Sequence, residues 1–142
     1  MIRTIQEIIQ EAYNEVPTIT AAEAKEEQDN GALIIDTREI NELVITGKIK
    51  NSVHIPRGLI EFQNKETNPN GVDGFTKDRK IILYCAAGSR AALAGKSLKD
   101  IGFMDVHNLG GFSDWQSEGL PIENITWLGK FLDRVLFICY LN

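Results

Sequence analysis

The stretch YCAAGSRAALAGKSL (84–98) ends an apolar run on Cys85 and sets Arg90 five residues later. Ala86, Ala87, Gly88 and Ser89 fill the gap, and a helical pattern follows at once. A cysteine so placed stands at the mouth of a helix. Unpaired backbone N–H groups and the macrodipole there favour an anion, either a bound oxyanion or the thiolate itself. The small residues let the chain curl round the sulfur with its amides facing inward, and Gly88 takes a positive φ without steric cost. Arg90 closes the loop with a planar fork of donors for an anion or a neighbouring carboxylate. A buried, inert thiol is the ordinary reading of a free cysteine. The strand end, the small-residue loop and the closing arginine together favour a nucleophile instead.

The elements that must position this loop are legible by pattern. Ile2, Ile5, Ile8, Ile9, Ala12 and Tyr13 recur at helical spacing, and Pro17 ends that helix. Thr20 and Glu23 form a capping-box pattern for a second helix over 21–29, closed by Asn30-Gly31. ALIID (32–36) and KIILYC (80–85) read as buried parallel strands, MDVHNL (104–109) as a third and Val53 to Ile55 as a brief fourth. Helices are expected over 39–45 and 89–101 and around Trp115, with Gly110-Gly111 as a turn before the last. The Asn/Pro/Gly-rich stretch 64–74 reads as a surface loop. Strands alternating with helices give an α/β fold: one domain, a mostly parallel central sheet and helices on both faces.

Composition narrows the function classes. The chain has 142 residues, 43% of them hydrophobic, which suits a single core-forming domain. A net charge of -5 with no basic stripe argues against nucleic-acid binding. Two cysteines, Cys85 and Cys139, make no disulfide framework and point to a reducing, cytoplasmic setting. The N-terminal residues lack the apolar core of a secretion signal. His54 and His107 are isolated and no zinc-type spacing occurs, so neither a metal nor a cofactor is expected.

Residues 84–121, YCAAGSRAALAGKSLKDIGFMDVHNLGGFSDWQSEGLP, resemble the active-site half of a single-domain rhodanese, a sulfurtransferase. LIIDTREINE resembles that family's strand with Asp-x-Arg-Glu, and GKIKNSVHIPRG its Gly-x-Ile segment ending in Ile-Pro. The resemblance runs from about residue 17 to 123 with the motifs in family order. It implies that Cys85 accepts a sulfane sulfur as a persulfide and passes it to a thiol or cyanide, by double displacement. Loop amides from Ala86 to Arg90 would hold the terminal sulfur. Asp36 and Arg38 match the Asp-x-Arg and would organise the region beside the loop through a salt bridge or hydrogen bonds, with a strand-end cap and an ordinary surface charge as the alternative readings. Arg57, after Ile55-Pro56, is placed at the pocket mouth with a solvated arginine as the equal alternative. His54 and Trp115 are expected to be structural. Related phosphatases use Cys-x5-Arg, sized for phosphate; here four residues separate Cys85 from Arg90.

Three departures matter. Many family loops carry a second basic residue close behind the cysteine, where this chain has Ala86 and Ala87. The pocket is therefore expected to handle thiosulfate poorly and to prefer a persulfide. Lys48 replaces a frequent histidine and is expected at the surface. Beyond an N-terminal helix (1–15) and the rhodanese-like domain (16–124), residues 125–142 form an apolar tail with helical doublets such as Phe131-Leu132 and Val135-Leu136. Its length and charges do not suit a bilayer span. Docking on its own domain or a homodimer through the tail is expected, with small sulfur donors, thiol acceptors and a partner protein as the other contacts. A sulfur carrier or a protein-binding module is the competing function.

Overall fold

A computed structural model describes residues 2–125. Its centre is β1 (Leu33–Asp36), buried at every position, flanked by β3 (Val53–His54) and β4 (Ile81–Cys85). With β5 (Val106–Gly111) they form a parallel sheet of order β3-β1-β4-β5. Successive strand residues point to opposite faces, so a continuous apolar run requires a cover on each. Leu33, Ile35, Ile81, Leu83 and Cys85 enter the layer holding Val16, Ala91, Ala94 and Leu98. Ile34, Ile82 and Tyr84 enter the other, with Ala21, Ala24, Phe112 and Trp115. Thus α4 (Ser89–Asp100), with α1 (Ile5–Glu15) packed on it, covers one face, and α2 (Ala21–Asp29) and α5 (Phe112–Ser117) the other. The expected α/β architecture with helices on both faces is the one observed.

The chain leaves β1 towards β3 on one side while β4 lies on the other. The carboxyl ends of β1 and β4 therefore border a switch point, where open α/β sheets place ligands. Asp36 and Cys85 are those two ends. The outer edge of β5 is covered by residues 17–19: Asn108 N donates to the Pro17 carbonyl at 2.8 Å, and Ile19 N to the Asn108 carbonyl at 3.1 Å.

Several local expectations are corrected. Gly110-Gly111 is no turn: the two residues extend β5, pairing with Tyr84 and Cys85 after a register shift. At Thr20 only half of the capping box forms, the side chain accepting from Glu23 N. The full reciprocal box is at Thr4 and Glu7, where it starts α1. After α3 (Ile40–Thr46), β2 (Lys48–Ile49) pairs antiparallel with β6 (Ile122–Glu123), a contact with no local signal in two-residue strands. Lys48 serves that pairing, 2.8 Å from Glu123 and mostly buried, rather than standing at the surface. The tail expected over 125–142 lies, past Ile125, outside the described residues, as does Cys139.

Candidate active site

Cys85 ends β4 and is 1% exposed. Its Sγ accepts a hydrogen bond from Gly88 N at 3.0 Å. Gly88 reaches that position at φ 112°, a left-handed conformation that glycine adopts freely, and it is the N-cap of α4. The loop is pinned from behind by Asn108 on β5. Asn108, fully buried, donates from Nδ2 to the Gly88 carbonyl at 3.0 Å and accepts from Gly110 N at 2.8 Å. Thr37, following β1, donates both its N–H (3.0 Å) and its Oγ1–H (2.9 Å) to the Tyr84 carbonyl, fixing the residue before the thiol. Ala86 and Ala87 are exposed and Ser89 is half-buried, so the rim of the loop is small and uncharged.

Arg90 uses its fork on a carboxylate. Its two terminal nitrogens lie 2.7 and 2.8 Å from the two oxygens of Glu42 on α3. Glu42 also accepts from Glu39 N at 2.8 Å. The Arg90 hydrogen bond is the main reason the Glu42 carboxyl is lowered to about 2. In return Glu42 raises the Arg90 guanidinium above its ordinary value, with smaller contributions from Cys85.

The Asp36–Arg38 pair is buried, at 0% and 2% exposure, which removes the alternative of an ordinary surface charge at Arg38. Arg38 lies 2.9 Å from Asp36 Oδ2 and also donates to Thr46 Oγ1 and the Gly47 carbonyl, each at 2.9 Å. Its guanidinium lies 4.5 Å from the centroid of the Phe112 ring. His54 Nε2 donates to the Arg38 carbonyl at 2.6 Å, a structural contact. Trp115 is fully buried and donates from Nε1 to the Pro121 carbonyl at 2.9 Å. The structure thus brings Cys85, Gly88, Arg90 and the Asp36–Arg38 pair to one edge of the sheet. Arg57 pairs with Glu61 at 3.2 Å and makes no hydrogen bond to the loop among the described residues, while its Nε is buried without a hydrogen-bond partner among them. No cluster of His, Cys, Asp and Glu among the described residues is arranged to hold a metal.

Sequence reasoning missed Glu42 and Asn108. Glu42 reads locally as an ordinary first-turn acid of α3. Asn108 left a faint signal, a polar residue inside an apolar strand, whose burial demands a hydrogen-bond partner.

The rhodanese-like domain family matches residues 20–118. A Bacillus subtilis protein named as a sulfur carrier, YrkF, is 32% identical over 74% of this chain and 54% of its own. The chain therefore spans about half of that relative. A sulfurtransferase of Allochromatium vinosum is 33% identical over 63% of this chain and 77% of its own. Among solved structures, a Rhodopseudomonas palustris protein of unknown function, described as a possible tyrosine phosphatase, is 36% identical. It superposes with a TM-score of 0.76 over 87% of this chain and 96% of its own. No helix among the described residues is long and apolar enough to cross a membrane. The parallel sheet, the loop after β4 and the matched segment lead to one assignment: the chain belongs to the rhodanese-like family of sulfurtransferases and sulfur carriers.

Proposed function

We propose that this protein moves sulfane sulfur from a persulfide to a thiol through a persulfide on Cys85. The observation that carries the reading is the Gly88 N–H aimed at the Cys85 Sγ, within a loop closed by Arg90 after four residues. The Cys85 thiolate attacks the outer sulfur of a donor RS–SH. A Cys85 S–S bond forms, the donor S–S bond breaks, and its electron pair and the proton leave as RSH. The Cys85 persulfide anion remains. An acceptor thiol R′SH then takes the outer sulfur, giving R′S–SH and restoring the Cys85 thiolate. No external oxidant or reductant enters either exchange. Gly88 N and the amides beside it meet the charge as it develops on sulfur.

The donor class follows from charge. Ala86 and Ala87 supply no cation, and the Arg90 fork is already engaged by Glu42. A thiosulfate dianion therefore meets a single loop cation, Arg90, whose charge Glu42 largely offsets, and a singly charged or neutral persulfide suits the loop better. The same offset of the Arg90 charge by Glu42 argues against phosphate chemistry. One observation favours a second reading: with Cys85 only 1% exposed, access is narrow, which suits a carrier loaded by a partner protein.

The test is steady-state sulfur transfer to a thiol acceptor from a low-molecular-weight persulfide, from thiosulfate, and with p-nitrophenyl phosphate as a control. Turnover with persulfide at about tenfold or more over thiosulfate is expected, the worth of one missing charge-assisted hydrogen bond. A single stoichiometric loading without turnover favours the carrier. Hydrolysis of the phosphate ester with no sulfur transfer contradicts both readings.

A further inference from the structure

The last turn of α1 lies outside the matched segment, yet it reaches the loop. Val16 packs on α4 at Gly95, where a Cβ would come within 2.9 Å of Val16 Cγ1; glycine is what lets α1 lie so close. This seats Tyr13 over the helix mouth: a Cβ on Gly88 would fall 2.6 Å from the Tyr13 hydroxyl. Gly88 is the residue whose N–H reaches Cys85 Sγ at 3.0 Å. Among the described residues the Tyr13 hydroxyl has no hydrogen-bond partner. Burial first, and then the charge of Cys85, push the phenol above its ordinary value, so the hydroxyl keeps its proton beside an anionic sulfur.

We propose that Tyr13 donates its hydroxyl hydrogen to the outer, anionic sulfur of the Cys85 persulfide, and so stabilises the loaded state of the protein. The proposal rests on the reading of Cys85 as the sulfur acceptor. It supplies the donor that Ala86 and Ala87 do not. A neutral phenol offers one hydrogen to the single negative charge of that persulfide. The exchange itself is unchanged: the Cys85 thiolate and RS–SH give the Cys85 persulfide anion and RSH.

Tyr13→Phe keeps the ring and its packing and removes only the hydroxyl. The equilibrium constant for loading Cys85 from a low-molecular-weight persulfide is measured by intact mass in wild type, Tyr13→Phe and Cys85→Ser. Alkylation of Cys85 by neutral iodoacetamide is followed in parallel. A fall of about tenfold in the loading constant of Tyr13→Phe, the scale of a hydrogen bond to a charged group, with unchanged alkylation is expected. An unchanged loading constant overturns the proposal. Equal losses of loading and alkylation also overturn it, because they place the effect on the fold of the loop. Failure of the wild type to load overturns the Cys85 reading and this proposal with it, whereas a wild type that loads normally isolates the outcome to Tyr13.

Discussion

Asp36 and Arg38 are both closed to water, and between them the arginine is given a carboxylate, a hydroxyl, a carbonyl and an aromatic face. Such a pair is only weakly stabilising as a whole, since desolvation offsets most of its attraction. Removing one member is a different matter, because the remaining charge stays buried without its partner. Asp36→Asn is accordingly expected to destabilise the fold by about 3–5 kcal/mol, read from urea unfolding. A loss within the range of ordinary surface substitutions would show that water reaches Arg38. The pair sits at the end of β1, next to the strand that carries Cys85.

At the scale of elements, α3 and α4 are tied by the Glu42–Arg90 pair, and the tie has a pH signature. Glu42 titrates at about 2 in the fold, below the ordinary 4.5, chiefly through its bond to Arg90. A group whose folded value is depressed adds stability that is complete above its unfolded value and is lost as pH falls towards the folded one. Wild type should therefore lose more stability than Glu42→Gln as the pH falls from about 5 to about 2, the interval set by those two values. Parallel urea-midpoint curves for the two proteins would contradict the tie. This pairing also marks where sequence reading ends. The strand β4, the loop from Cys85 to Arg90 and the helix α4 were legible because their signals are local: an apolar run, small residues, then helical spacing. The fork of Arg90 predicts a carboxylate or an anion, but Glu42 lies 48 residues away, and its own neighbourhood shows only an acidic first turn. Gly110-Gly111 misled for the converse reason. Paired glycines signal a turn locally, while sheet pairing with Tyr84 and Cys85 overrides that signal. Tyr13 counted as one more apolar position of α1, and its approach to Gly88 exists only once α1 packs on α4.

Across the whole molecule, the sheet gathers at one edge groups drawn from four stretches of chain: Tyr13, the Asp36–Glu42 segment, the Cys85 loop and Asn108. Folding is what turns an ordinary thiol into a held one, which is why the loop alone does not account for the site. The central claim is that Cys85 carries the sulfur, and the most direct measurement is the intact mass of the protein after exposure to a low-molecular-weight persulfide, with peptide mapping and Cys85→Ser alongside. The expected result is a gain of one sulfur atom, removed by thiol reductant, located on the peptide containing Cys85 and absent from Cys85→Ser. No gain on a folded protein with a free Cys85, or an equal gain in Cys85→Ser, would contradict it.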